Sequence, residues 1–413
     1  MQDKSHPLLI PRRLSFQSLI DPLFYYSTSF MEITVQCCKQ SKNDPFDDND
    51  SENGTFLPGL PDDLAQRCLS SLSPSLLFSV CHSWRRLLYS PSFPPFFSLY
   101  ALLSPLHNPT MALPREVVPQ STIVFFSFDP ISSSWRSLPS PPQNPSFHLL
   151  RRHPSFLSRN LPIQSLTVSD QLIVIAATTQ NLFPALSSPL VFHPESNIWF
   201  YGPQISAPRR WCAAGSAQGV VYMASGFGSH YQGDVARSLE QWDLNKKREN
   251  WVWENKAGFK DGRFSREAVE AVGCRGKLCM VNVKGNALKE GAVYNVGLDK
   301  WEDMPVGMVA GWNGPAASMD EDEIYVIDEV KGRLSKYDSE KDCWVKVIEL
   351  EQLKRAEHIA AGRGKICAVS AKGERIIVVD VRDKPTRFWE VEPPCGLEVV
   401  AVHVLPRMIS RQH

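Results

Sequence analysis

Residues 323–344 read EIYVIDEVKGRLSKYDSEKDCW, and the pattern of this segment recurs through most of the chain. It begins with a continuous apolar run from Ile324 to Ile327, passes through polar turn residues, and returns to an apolar residue at Trp344. A short apolar run bounded by turn residues is typical of a buried β-strand. Asp338 precedes Trp344 by six residues, a spacing that predicts two strands joined by a tight turn, with the tryptophan packed between sheets.

Related units occur on both sides of this segment. The six-residue spacing returns at Asp129, His193 and Asn295, each followed by its own tryptophan, and two longer units lie between and after them. The units end at six tryptophans spaced 64, 54, 48, 43 and 45 residues apart: Trp135, Trp199, Trp253, Trp301, Trp344 and Trp389. Repeats of about 45 residues with four short strands each are what a β-propeller requires. The sequence therefore predicts a mainly β fold built as a propeller.

The number of blades follows from counting strands. Five of the six tryptophans have an apolar run upstream, which we interpret as an inner strand: Leu172–Ile175, Val220–Met223, Leu278–Val281, Ile324–Ile327 and Ile366–Val369. The first unit lacks such a run, whereas the C-terminal run Leu397–Leu405 has no tryptophan after it. We predict six blades, with the C-terminal strand completing the first blade. The alternative is a seventh, divergent blade within residues 143–190.

The segment before the repeats is helical in pattern. Residues 57–97 read LPGLPDDLAQRCLSSLSPSLLFSVCHSWRRLLYSPSFPPFF. Asp62 and Asp63 favour a helix start by their charge, and Ser73 with Pro74 predicts a second helix that continues to Leu88. A unit this small has a marginal core, and its leading apolar residues predict an exposed docking surface. The alternative is a helical hairpin packed on the neighbouring domain.

The motifs of this segment resemble an F-box. Leu60–Leu64 reads LPDDL and Val80–Arg85 reads VCHSWR, the combination that plant F-box proteins carry at similar spacing. The resemblance implies binding to a Skp1-type adaptor, and through it to the cullin of a ubiquitin ligase. The contact residues that it implies are Leu57, Pro58, Leu60, Pro61, Leu64, Leu76, Val80 and Trp84.

The repeats resemble kelch repeats, through motifs such as VVYMASG at 220–226 and EIYVID at 323–328, although the double glycine of that family is degraded. Residues 57–407 as a whole are similar to plant F-box/kelch-repeat proteins. We expect a disordered leader at 1–55, the F-box at 56–100, a linker at 101–118, the kelch propeller at 119–407 and a tail at 408–413.

Composition narrows the classes of partner. The 44 basic and 44 acidic residues cancel, so no general attraction to nucleic acid or to an anionic membrane surface is expected. No apolar stretch is long enough to cross a bilayer. The ten cysteines form no CxxC pair, which argues against a zinc site and favours reduced thiols in the cytoplasm and/or nucleus.

Catalytic motifs are absent from the sequence. It contains no phosphate-binding GxxxxGK[ST], no HExxH and no GxSxG, each of which marks a known chemistry. We therefore expect a non-catalytic protein without cofactors, a substrate-recognition adaptor of a Skp1–cullin–F-box ubiquitin ligase. The alternatives are a kelch scaffold outside any ligase and a propeller enzyme such as a copper oxidase.

Target binding is expected on the loops that precede the repeated apolar runs. Arg210, Asn313 and Arg355 each lie twelve residues before the middle of such a run. Arginines beside aromatic residues suit an acidic or phosphorylated peptide, whereas the alternative is pairing with acids between blades. The complete set of predicted target-binding residues is Arg210, Trp211, Arg263, Arg266, Trp312, Asn313 and Arg355.

Overall fold

The computed structural model describes residues 56–408 apart from 91, 95, 107–122, 143–162, 180–182, 261–263, 265–268 and 283–288. The predicted leader at 1–55 and nearly all of the predicted tail lie outside the described residues. No helix in the described part of the chain has the length and apolar character to cross a membrane.

Three short helices form the unit that precedes the propeller: α1 Asp62–Ser70, α2 Pro74–Val80 and α3 His82–Leu88. The Ser73 hydroxyl caps α2 by accepting a hydrogen bond from the Leu76 N–H at 3.3 Å, as its position before Pro74 predicts. The sequence predicted one continuous helix from Pro74 to Leu88, and this is wrong. Cys81 is extended (φ −156°, ψ 168°) and divides it. The break lets Leu77 and Leu88 enter the same small core.

In the described part of the chain, twenty-four strands form six antiparallel sheets of four. Blade one contains β1 Phe97–Pro105, β2 Val124–Asp129, β3 Ser134–Ser137 and the C-terminal β24 Leu397–Pro406. Blade two contains β4 Ile163–Val168, β5 Gln171–Ala177, β6 Leu190–His193 and β7 Ile198–Tyr201. Blade three contains β8 Ala213–Ala217, β9 Val220–Ala224, β10 Leu239–Asp243 and β11 Glu254–Lys256.

The remaining blades follow in chain order. Blade four contains β12 Val269–Cys274, β13 Lys277–Asn282, β14 Glu290–Asn295 and β15 Lys300–Asp303. Blade five contains β16 Ala316–Met319, β17 Glu323–Asp328, β18 Arg333–Asp338 and β19 Cys343–Glu349. Blade six contains β20 His358–Gly362, β21 Lys365–Val369, β22 Ile376–Asp380 and β23 Arg387–Val391. Two further helices, α4 Gly233–Arg237 and α5 Val306–Gly311, lie in connections.

The six sheets close into a ring around a central channel. The strands β24, β4, β8, β12, β16 and β20 are the first strands of their blades, and each contacts the first strand of the next blade, with β20 returning to β24. The prediction of a six-bladed propeller is confirmed. Blade two occupies the described part of the segment in which a seventh blade was considered.

The ring closes in blade one as predicted, but with different strands. The strand β24 pairs with β1 from Leu397↔Pro105 to Pro406↔Phe97, so the C-terminal strand is the innermost strand of blade one. The apolar runs interpreted as inner strands are in fact second strands, and the missing one is β1. Within the described residues the propeller begins at Phe97 of β1, so the F-box boundary predicted at 100 and the propeller start predicted at 119 both lie too late. Residues 107–118 of the predicted linker lie outside the described residues.

The repeated six-residue spacing has a turn as its cause. The Asp338 carboxylate accepts hydrogen bonds from the backbone N–H groups of Glu340 and Lys341 at 3.0 and 3.2 Å, which fixes the turn between β18 and β19. Asp342, two residues before the tryptophan, then takes a left-handed conformation with φ 47°. The equivalent residues of three other blades, Ser133, Asn197 and Asp299, are also left-handed.

The repeat tryptophans join neighbouring blades. Trp344 Nε1 donates to the Met308 carbonyl at 3.0 Å, in the connection that enters the blade of Trp344. The same bond recurs from Trp135 to Glu392 at 2.8 Å, from Trp199 to Pro139 at 2.8 Å, from Trp253 to Pro203 at 3.1 Å and from Trp301 to Ala257 at 2.6 Å. Most of these indoles are half-buried, because their N–H edge lies at the junction between blades.

Strand register divides the loops between two faces. The start of β8 pairs with the end of β9, and the same residue, Ala224, pairs with the start of β10. Connections between blades and connections from second to third strands therefore emerge on one side, which we call the loop face. The short turns from first to second and from third to fourth strands emerge on the other, which we call the turn face. Phe97 pairs with the end of β24, so the helices enter at the turn face.

One glycine on the inner wall of the channel is expected to tolerate no larger residue. A Cβ added to Gly273 of β12 would lie 1.5 Å from the Ser216 carbonyl oxygen of the neighbouring β8. Because backbone must move to relieve this clash, Gly273→Ala is expected to lower the free energy of unfolding by at least about 2 kcal/mol. Urea denaturation measures it. The matched control is Gly297→Ala in the same blade, where the nearest atom is 3.7 Å away, and an equal loss in both variants would contradict the prediction.

Candidate functional site

The helical unit carries an exposed apolar surface. Five large aliphatic side chains of α1, α2 and the adjoining turns are 37–48% exposed: Leu60, Leu64, Leu72, Leu76 and Val80. Beneath them, Leu69, Leu77, Leu87 and Leu88 form the small core of the unit. Single exposed aliphatic residues are ordinary, but five on so small a unit form a candidate docking surface. We call these five residues the helical docking surface.

The predicted adaptor contacts divide into two groups. Leu60, Leu64, Leu76 and Val80 belong to the helical docking surface, and Pro58 and Pro61 are exposed as well.

Leu57 and Trp84 instead pack against the core of the unit, and Trp84 Nε1 donates to the Phe56 carbonyl at 3.0 Å. These two side chains support the unit from inside. Within α1, the buried residues are Ala65 and Leu69.

The other side of the helical unit is fixed to blade one. Tyr89 Oη donates to Asp129 Oδ2 at 2.6 Å, in the turn between β2 and β3. Arg407, just after β24, donates through Nη2 to the Ser90 carbonyl at 2.8 Å and lies over the rings of Tyr89 and Phe96. One side of the helical unit thus packs on the propeller, as the second alternative from the sequence has it, and the other side is exposed.

On the loop face, the first arginine of the connection between β7 and β8 is neutralised. Arg209 is almost fully buried and forms an ion pair with the equally buried Glu240 of β10. Its Nη1 also donates to the Ser225 carbonyl at 3.1 Å and to Ser238 Oγ at 2.6 Å. Arg209 is a structural residue that holds this connection to blade three, the alternative role considered from the sequence.

The next residue has a different environment. The Arg210 guanidinium lies over the Trp211 ring at 4.0 Å and over the Phe227 ring at 5.3 Å, each measured to the ring centroid. Phe227 belongs to the connection from β9 to β10, and Tyr231 of the same connection lies 6.0 Å from it, between ring centroids. Burial lowers the pKa of Arg210. The predicted pair Arg210 and Trp211 is therefore brought together with two further aromatic residues that the sequence did not indicate.

The other predicted target-binding residues are dispersed. Trp312 is fully buried and its Nε1 lies 3.2 Å from Glu270 Oε2, so its prediction as a binding residue is wrong. Asn313 is half-buried and accepts a hydrogen bond from Lys289 Nζ. Arg355 is exposed, and its backbone N–H donates to the Glu329 carbonyl at 2.7 Å.

Arg263 and Arg266 lie outside the described residues. The described members other than Trp312 lie before blades three, five and six, and Arg210 is the one whose side chain packs against two aromatic rings.

The channel holds a cavity of about 380 Å³ lined by the first strands of the blades. His403 of β24 lies in it, with Nε2 2.9 Å from Ser165 Oγ and Nδ1 3.3 Å from Thr167 Oγ1. Burial, and to a lesser degree the nearby His358, hold the pKa of His403 well below its usual value. No group of three metal-ligating side chains occurs within the described ranges.

A small helical unit with an exposed apolar surface, fixed to a six-bladed propeller with tryptophan-centred repeats, defines an F-box protein with a kelch-type propeller. The chain is 49% identical over 367 residues to the F-box/kelch-repeat protein SKIP25 of Arabidopsis thaliana, covering 87% of this chain and 91% of that protein. It is 25% identical over 361 residues to the F-box/kelch-repeat protein At1g26930 of the same plant, covering 80% and 74%. No protein-family model matches it. The chain belongs to the F-box/kelch-repeat family.

The buried pair on the loop face predicts a large stability effect. Glu240→Gln leaves the Arg209 guanidinium buried without its counter-charge, and the expected loss in free energy of unfolding is about 3–5 kcal/mol. Thermal and urea denaturation measure it. The control is Glu349→Gln, which removes an exposed partner of Arg333 and is expected to cost below about 1 kcal/mol. Equal losses in the two variants would show that Arg209 is compensated in another way.

The channel histidine predicts an acid-dependent loss of stability. The pKa of His403 is lowered in the folded state, so below about pH 6.5 the unfolded chain binds a proton that the folded chain does not. Stability should then fall as the pH drops from 6.5, by up to about 1.4 kcal/mol per pH unit from this group. Urea midpoints between pH 5 and 8 measure the slope. His403→Gln should flatten it, and His82→Gln on the exposed side of α3 is the control. An unchanged slope in His403→Gln would refute the assignment.

Proposed function

We propose that this protein is the substrate-recognition adaptor of a Skp1–cullin–F-box ubiquitin ligase. The helical docking surface binds a Skp1-type adaptor, which connects it to the cullin, and the loop face of the propeller binds the protein that is ubiquitinated. The observation that carries the proposal is the helical docking surface itself, five exposed aliphatic side chains on a unit whose opposite side is fixed to the propeller. Membership of the F-box/kelch-repeat family supports the same two roles, adaptor binding by the helices and target binding by the propeller.

In this role the protein positions its target and catalyses no reaction itself. A target held on the loop face has its lysines at a raised effective concentration near the ubiquitin-conjugating enzyme. The hydrogen bonds of Tyr89 and Arg407 to blade one fix the helices relative to the ring. The helices lie on the turn face, opposite the loop face, so the adaptor and the target do not compete for one surface. A ligase role of this kind places the protein in the cytoplasm or the nucleus.

The proposal predicts the effect of charge on the helical docking surface. Leu64→Asp combined with Leu76→Asp places two carboxylates on a surface that must be desolvated on binding, and affinity of the full chain for a Skp1-type adaptor should fall at least about 100-fold. Surface plasmon resonance with purified proteins measures it. Because both side chains are exposed, thermal stability should change little.

A matched control is available on the propeller. Leu298, in the turn between β14 and β15, is 67% exposed, and Leu298→Asp should leave adaptor binding unchanged. Absence of binding by the unaltered full chain would contradict the ligase role and favour a kelch scaffold, whose helices serve only to pack against the ring.

A further inference from the structure

Arg210 is a buried cation with an incomplete set of partners. Its side chain is only 7% exposed, yet Nε and Nη1 have no hydrogen-bond acceptor among the residues that the structure describes. A buried donor without an acceptor costs free energy, more so when it is charged. Such a group in a folded protein calls for an explanation, and an absent ligand is one.

The adjacent arginine shows that this connection can satisfy a guanidinium fully. Arg209 has a carboxylate, a carbonyl and a hydroxyl. The buried Arg407 lies between these two cases, since its Nη1 and Nη2 donate to the carbonyls of Tyr89 and Ser90 while its Nε has no acceptor among the described residues. Glu240, the buried acid on this side of blade three, is already engaged by Arg209. The Arg210 guanidinium instead lies over two aromatic rings, whose π-electrons stabilise a cation but do not satisfy its buried N–H donors.

The backbone around Arg210 is constrained in a way that preserves this arrangement. Arg210 and Phe227 exchange two backbone hydrogen bonds at 2.8 Å, which tie the two connections together. The next residue, Trp211, has φ 55°, a left-handed conformation that is costly for a bulky side chain. Across the bridge, a Cβ on the left-handed Gly226 would lie 3.1 Å from the Arg210 carbonyl oxygen. Strain of this kind persists where the surrounding contacts over-determine it, and it concentrates at binding sites.

We propose that Arg210, framed by Trp211 and Phe227, binds the side-chain carboxylate of an aspartate or glutamate in the target protein. The guanidinium fork matches a carboxylate by two parallel hydrogen bonds. The exposed ring of Tyr231 extends the aromatic wall beyond Phe227 and offers contact to the apolar part of the acidic residue. One cation between aromatic rings suits a singly charged group, whereas a phosphate is favoured by several converging donors.

This inference rests on the proposed function, since it names the chemistry that the loop face recognises. Its test uses the full chain and two small probes, acetyl-glutamate amide and acetyl-glutamine amide, which differ only in the charge of the side chain. The readout is the NMR resonance of the Arg210 Nε–H, assigned by its disappearance in Arg210→Met. The glutamate probe should shift this resonance in a saturable way, and its dissociation constant should be at least about 10-fold lower than that of the glutamine probe.

The outcomes separate the alternatives. No saturable shift with the glutamate probe, or equal affinity for both probes, overturns the proposal. Tighter binding of acetyl-phosphoserine amide than of the glutamate probe assigns the site to phosphate and also overturns it. Arg210→Lys keeps the charge without the fork and should weaken binding, whereas Arg387→Met on the outer strand β23 should not. The comparison of probes on the unaltered chain needs no variant to fold.

Failure of this inference is distinguishable from failure of the ligase role. The variant with Leu64→Asp and Leu76→Asp should keep the response of Arg210 to the glutamate probe, because the two surfaces lie on opposite faces. Arg210→Met should in turn keep its affinity for a Skp1-type adaptor. Loss of both properties in either variant would indicate that the chain had unfolded, which circular dichroism detects directly.

Discussion

The hydrogen bond from an indole N–H to a carbonyl of the connection that enters the same blade is the interaction on which the ring depends. It occurs from Trp135, Trp199, Trp253, Trp301 and Trp344. The bond ties the outer edge of a blade to the segment arriving from the previous blade, at a place where the ring would otherwise expose an unsatisfied N–H. The Trp135 bond reaches Glu392 of the last connection, so the same interaction joins the last blade to the first.

Those tryptophans are also the reason why the blade count could be predicted from the sequence. A turn closed by the side chain of Asp338 and its equivalents is local, and it fixes the distance to the tryptophan whatever the rest of the chain does. Apart from β24, the first strands were not recognised, and β8 shows the reason. The strand β8 reads AAGSA, which has neither apolar alternation nor bulk. The strand β1 was missed because residues 106–123 separate it from β2.

On the loop face, the environments of the individual side chains could not be predicted from the sequence. Trp211 and Trp312 both lie in connections between blades, but Trp312 is buried beside Glu270 and Trp211 lies against a guanidinium. Arg209 and Arg210 are adjacent, but Glu240 pairs with one of them. These differences depend on which side chain of a distant strand faces the connection, and no local pattern reports it. The exposed residues of the helical unit were easier to predict, because they were inferred from motifs that resemble a known docking unit.

The orientation of the helical unit depends, through Arg407, on a part of the chain that is synthesised late. Its contacts with Tyr89 and Ser90 join residues more than 300 positions apart. During translation the helices leave the ribosome long before β24, the strand that completes the blade against which they pack. A nascent or truncated chain that ends short of β24 lacks both the innermost strand of blade one and the Arg407 contacts, and of the Tyr89 and Arg407 hydrogen bonds between the helices and the blade it keeps only that from Tyr89 to Asp129. The complete set of contacts that orients the helices therefore forms only after the ring has closed.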